Sequence, residues 1–167
     1  MKPDQQIKEK YVLYYKDDLD RLDRILEEYL RLSKAKCTLL IDKDGHLVTK
    51  QGQTGTYDMD TISALVAGSF AATKEMAKLL GEEEFSVLFH QGMKDAIQLS
   101  LIGDRTLMAT IFDDKTTVGM VRLYSNEAAR KLGLILSELK NQKGEGPLAK
   151  GFGEAATGKL DEMFGKS

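Results

Sequence analysis

Large apolar residues recur along this chain at two spacings, three to four residues and two residues. Read in order they predict helix, two strands, helix, three strands, helix. The first helical stretch runs from about Tyr15 to Ser33, with Tyr15, Leu19, Leu22, Leu26, Tyr29 and Leu30 on one face. Asp17–Arg21, Asp20–Arg24 and Glu27–Arg31 place acid before base at i,i+4 on its wet side. Cys37 to Ile41 is continuously apolar, as in a strand covered on both faces. Asp44–Gly45 is a turn dipeptide, and His46 to Gln51 returns as the second strand of a hairpin. Phe85 to Gln91 sets Phe85, Val87 and Phe89 against Ser86 and His90. Ala96 to Ile102 sets Ile97, Leu99 and Leu101 against Gln98 and Ser100, and Thr106 to Phe112 is almost wholly apolar. Short turns between these three strands make an antiparallel meander. The last helix, capped by Thr116 or Thr117, carries Val118, Val121, Ala128, Leu132, Ile135 and Leu139. Its opening VGMVRLY suits a strand as well as a helix by propensity.

The central helix, Asp58 to Gly81, organises the rest. Asp58 or Asp60 supplies an N-terminal cap, and Gly81 a left-handed stop. Ile62, Leu65, Val66, Phe70, Met76, Leu79 and Leu80 fall on one half of the cylinder, and this half is expected to be core. The other half carries Ala64, Ala67, Gly68 and Ala71, followed by Lys74, Glu75 and Lys78. Alanine is explained by helix propensity alone, but a mid-helix glycine costs about 1 kcal/mol relative to alanine. A stripe this smooth admits another surface close to the backbone, so it is expected to be an interface.

Five strands with helices on both faces describe an α/β layered domain built on an antiparallel sheet. The expected organisation is a poorly ordered N-terminus over 1–12, the layered domain over 13–140 and a glycine-rich linker over 141–156. A short C-terminal helix over 157–167 follows, where Leu160, Met163 and Phe164 form an apolar trio suited equally to docking on a partner or to folding back on the chain's own core.

Composition narrows the function. In 167 residues, 24 basic and 26 acidic side chains give a net charge of −2, with the signs interspersed, which argues against nucleic acid or an anionic membrane as partner. A single cysteine, Cys37, excludes an intrachain disulfide, and no apolar run suggests a spanning helix, so a cytoplasmic location is expected. Asp42-Lys43-Asp44-Gly45 lacks the remaining ligands of a calcium loop, since Leu40 and Gln51 occupy two ligand positions. Gly165-Lys166-Ser167 lacks the first glycine and the helix of a phosphate-binding loop, and Ser63 and Ser69 lie in no nucleophile elbow. His46 and His90 match no zinc spacing; His90 is expected to be a partly buried strand residue bonded to a loop. No metal, cofactor or autonomous active site is expected.

LLIDKDGHLV, LVAGSFAATKEMAKLLGE, FHQG and ATIFDDKTTVGMVRL, in this order, resemble the bacterial MglB proteins of the Roadblock (dynein-light-chain-like) family. The resemblance covers about Leu13 to Leu139, and the central helix is its most specific part. It implies one long helix on one face of the sheet and two on the other, and it decides VGMVRLY in favour of helix. It also implies a homodimer joined edge to edge through the strand after the central helix, with Phe85, Val87 and Phe89 at the dimer edge. The residues agree, because that strand has no proline or lysine to protect a free edge. The implied partner is a Ras-like small GTPase of MglA type in its GTP-bound form. The implied activity is faster GTP hydrolysis through realigned switch loops, without an inserted arginine. Ala64, Ala67, Gly68, Ala71, Lys74, Glu75 and Lys78 are then the partner-binding residues. Phe70 departs from the pattern, being bulky where relatives often carry alanine. Arg105 and Arg122 are candidates for an arginine finger. The alternatives are a non-catalytic Roadblock-type adaptor for GTPases or motor components, and a small-molecule sensor with a pocket between sheet and helix.

Overall fold

The computed structural model describes residues 3–83 and 85–145, with side chains between residues 16 and 141. Three helices and five strands follow in the expected order. They are α1 (Pro3–Ser33), β1 (Cys37–Asp42), β2 (Leu47–Gly52), α2 (Met59–Leu80), β3 (Val87–Gln91), β4 (Ala96–Ile102), β5 (Thr106–Phe112) and α3 (Val118–Glu145). The antiparallel sheet has the order β2-β1-β5-β4-β3, which leaves β2 and β3 at opposite edges. By contact density the chain divides after Gly133. The first unit holds the sheet, α1, α2 and the start of α3; the described part of the second is the end of α3, from Leu134.

Strand alternation sorts the two faces. Leu39, Ala109, Leu99 and Leu88 form one row across four strands, and they pack with Met59, Val66, Ala67 and Phe70 of α2. The next row, Thr38, Thr110, Gln98 and Phe89, faces the other way. There the Tyr29 hydroxyl of α1 meets the Thr110 hydroxyl at 2.9 Å, and the Gln98 amide donates to the Ser125 hydroxyl of α3 at 2.8 Å. One long helix therefore covers one face and two helices the other. The β5 strand is buried along nearly its whole length because both of its faces are covered.

Three boundaries differ from expectation. Helix α1 starts at Pro3, well before Tyr15, so 1–12 includes helix. Proline is favoured in the first turn, and Gln, Lys and Glu extend an existing helix at little cost. Helix α3 likewise passes Asn141 and reaches Glu145. Phe85 lies outside β3, whose register starts at the Val87–Ser100 pair and is preceded only by a bond from the Leu101 N–H to the Ser86 carbonyl. The α3 start is helical, with Met120 N–H donating to the Thr117 hydroxyl.

Tyr29 ties α1 to the sheet, and burial pushes its phenol from 10.0 up to about 12. The folded state then keeps a proton that the unfolded phenol has already lost. Stability is unaffected below pH 10 and falls as pH rises from about 10 to about 12. Tyr29→Phe should flatten this alkaline decline in melting temperature; an identical decline in the variant would assign it to another group.

Candidate functional site

Helix α2 is held at both ends by its own sequence. Asp58 accepts the Thr61 N–H at 3.2 Å and its hydroxyl at 2.7 Å, and these bonds hold the carboxyl below its usual range. Gly81 takes φ 76 and donates to the Ala77 and Lys78 carbonyls. Between the caps, the buried stripe is Met59, Ser63, Val66, Ala67, Phe70, Thr73 and Ala77. Ser63 and Thr73 behave as small core residues because their hydroxyls donate one turn back, to the Met59 and Ser69 carbonyls.

Of the seven expected contact residues, Ala64, Gly68, Ala71, Lys74, Glu75 and Lys78 are exposed and share one side of the helix. Ala67 is not among them; it is 9 % exposed and belongs to the core. The cause is the β1–β2 turn. Gly45, at φ 91, lies so close to α2 that a Cβ on it would stand 3.0 Å from the Ala64 Cα and 3.5 Å from the Ala67 Cβ. Part of the alanine stripe thus accommodates the chain's own hairpin. Gly68 is different, because among the described residues a Cβ there would meet nothing within 4 Å. Close packing among those residues does not explain its missing side chain.

Four large apolar residues expected in the core are exposed: Leu65 at 65 %, Met76 at 53 %, Leu79 at 88 % and Leu80 at 72 %. Leu65, Ala72 and Leu79 repeat every seven residues, with Met76 between the last two, and form a continuous apolar flank. Gly45 of the β1–β2 turn lies against the Ala64–Ala67 side of α2, and on the helical wheel the Leu65–Leu79 flank lies across the buried stripe from it. Of the half expected to be core, Val66 and Phe70 are buried and Ile62 packs against them, but the buried stripe is displaced toward Ser63, Thr73 and Ala77, whose small size hid it.

The two sheet edges differ as well. Next to β2 the ladder is broken by an irregularity between Leu40 and Ile41, and β2 carries the exposed Lys50. Both features discourage further pairing. The Val87–Gln91 strand has no lysine, proline or bulge. Val87 and Phe89 lie on it, with the Phe89 ring 6.0 Å from that of Phe112, whereas Phe85 does not. His90 is exposed, contrary to the expected partly buried position.

Candidate chemistry elsewhere is sparse. Asp42, Asp44 and His46 bring ligand atoms within 4.8 Å of one another. Asp42 is engaged in shaping the turn: its Oδ1 accepts the Asp44 and His46 N–H groups at 2.9 Å, and its Oδ2 lies 3.2 Å from His46 Nδ1. Burial acts to raise the Asp42 carboxyl, but these bonds outweigh it and leave it below the usual range. Cys37 is buried, which pushes its thiol up to about 11 and keeps it protonated. A void of about 20 Å³ between α1 and α3, lined by Ile25, Tyr29, Leu32, Tyr124 and Ala128 among others, has room for one water and not for a metabolite. Arg105 and Arg122 are exposed, in the β4–β5 turn and on α3. Leu160, Met163 and Phe164, and the linker after Glu145, lie outside the described residues. No described helix is long and apolar enough to cross a membrane.

Three comparisons place this arrangement among known proteins. The Roadblock/LC7 domain model matches residues 21–112. The solved structure of Myxococcus xanthus MglB is 35% identical, with a TM-score of 0.70 over 72% of this chain and 90% of that chain. The gliding protein MglB from Thermus thermophilus is 34% identical, with a TM-score of 0.69 over 72% of this chain and 92% of that one. An uncharacterized protein of Aquifex aeolicus is 22% identical over 148 residues, 86% of this chain and 89% of its own length.

Proposed function

The chain belongs to the Roadblock/LC7 domain family as an MglB-like member, and from this premise we propose that it is a homodimeric regulator of a Ras-like small GTPase of MglA type. The dimer forms through the unprotected β3 strand and the apolar flank of α2. Pairing β3 with its copy about a two-fold axis removes a hazardous edge and brings the two flanks together. In an antiparallel pair of α2 helices centred on Ala72, Leu65 of one protomer meets Leu79 of its partner, since both lie seven residues from the axis. Phe89 is the corresponding midpoint of β3.

The crests of the two helices then form one smooth surface, with Ala64, Gly68 and Ala71 at its centre and Lys74, Glu75 and Lys78 beside them. One GTP-loaded GTPase docks across it. The observation that carries this reading is the open space over Gly68. Stimulation comes from holding the GTPase's switch loops in their competent arrangement. A ligand shifts such an equilibrium only by its differential affinity. A preference of about 3 kcal/mol gives up to ~150-fold if misplaced loops are the whole barrier. Arginine insertion is not required, and Arg105 and Arg122 are surface residues.

Light scattering on mixtures with the GTPase tests the docking step. The expected particle holds two copies of this chain and one GTPase with a non-hydrolysable GTP analogue, and dissociates with GDP. A complex indifferent to the nucleotide would favour the adaptor role, for which the same helical surface serves without affecting turnover.

A further inference from the structure

Lys36 sits just before β1 and is fixed by its own backbone, its N–H donating to the Ile111 carbonyl and its carbonyl accepting the Gln53 N–H, each at 2.9 Å. Its side chain reaches past the end of β5 to the β3–β4 turn, where Nζ lies 3.0 Å from Asp95 Oδ1. It also donates to the Tyr57 hydroxyl at 3.3 Å, with the ammonium 6.0 Å from the centre of that ring. Tyr57 packs against the core immediately before the α2 cap. One ammonium therefore joins the entrance of α2 to the tip of the β3–β4 hairpin. Lys36 and Asp95 are 22% and 35% exposed, less than the side chains of the other described ion pairs. The Asp95 and Tyr57 bonds raise the lysine well above its ordinary range, so it remains charged.

The hairpin needs such a tie. Strand β3 has five residues and a neighbour on one side only, β4. Its turn is closed by the bond from Gly92 N–H to the Asp95 carbonyl, so Asp95 is where an outside contact holds the tip. A dimer using both β3 and the α2 flank requires the two in a fixed relation before they meet their copies. Ordering them on association would weaken binding, and ordering them beforehand strengthens it.

We propose that Lys36 is a positioning residue for self-association, presetting β3 against α2 through Asp95 and Tyr57; this rests on the dimer described above. The test measures the dimer dissociation constant of the full chain by sedimentation, alongside the unfolding midpoint of dilute monomer. Lys36→Met is expected to raise the constant about fivefold or more while moving the midpoint little. Asp95→Asn should act alike, and Lys36→Arg should restore tight association by keeping the charge. An unchanged constant in Lys36→Met, a rise that Lys36→Arg fails to reverse, or a rise explained by an equal loss of monomer stability would overturn the inference. A wild-type chain that is monomeric at every concentration would instead remove the dimer itself, and the inference with it.

Discussion

Gly68→Arg will abolish capture of the GTPase and leave the protein folded, dimeric and at least as heat-stable as the wild type. The two halves of this expectation have separate causes. Among the described residues, nothing lies where the new side chain starts, so the described fold meets no clash. Replacing a mid-helix glycine also removes a propensity penalty of about 1 kcal/mol, which raises the melting temperature if it changes at all. On the docking surface the same change plants a long cation in the middle of a smooth crest, once on each protomer. A closely packed partner then loses contact over the centre of its footprint, and the affinity falls by about 100-fold or more. Titration calorimetry with the GTP-analogue complex checks this. Normal affinity in a folded variant would show that the partner binds elsewhere.

The second large effect concerns the dimer. Leu65→Glu combined with Leu79→Glu should give a folded monomer, because both positions are exposed in the single chain and carry none of its core. In the proposed dimer each change removes an apolar contact worth about 1.5–3 kcal/mol and places a charge where the copy would lie. Four such sites per dimer outweigh a typical association energy. Size-exclusion chromatography with light scattering should report one chain, with an unchanged far-ultraviolet helix signal. A dimer of undiminished affinity would mean that the exposed flank serves another purpose. As an independent check of register, Ala72→Cys should form a disulfide between protomers on mild oxidation, since it falls on the proposed axis.

Local signals in the sequence carried most of the fold. The turn at Asp44–Gly45, the cap at Asp58 and the left-handed stop at Gly81 each depend on neighbouring residues, and each occurs as expected. The exposure of Ala64, Gly68 and Ala71 was legible too, since they stand out on an otherwise amphipathic helix. What could not be read was which large residues of the expected core half are buried. Leu65, Met76, Leu79 and Leu80 are the residues hydrophobicity alone sends to the core, yet the core takes Ser63, Thr73 and Ala77. Hydroxyls bonded to their own helix do not advertise burial, and a leucine left exposed looks in the sequence like any other. Ala67 was likewise misplaced because the turn that covers it comes from far back in the sequence, at Gly45. The length of α1 escaped for a different reason. Its first turns carry only a thin apolar spacing, Ile7, Tyr11 and Tyr14, set among Gln, Lys and Glu.

In the proposed function, docking and dimerisation put this protein upstream of a nucleotide switch, and its effect on that switch is a rate. Single-turnover phosphate release from the GTP-loaded MglA-type GTPase, with saturating wild-type protein and with Gly68→Arg, measures it directly. Release should accelerate by roughly ten- to a hundredfold with the wild type, consistent with a few kcal/mol of switch preference, and stay at the basal rate with the variant. Equal rates with and without the wild-type protein, under conditions where the complex is fully formed, would contradict the account and leave an adaptor that holds its GTPase without hastening it.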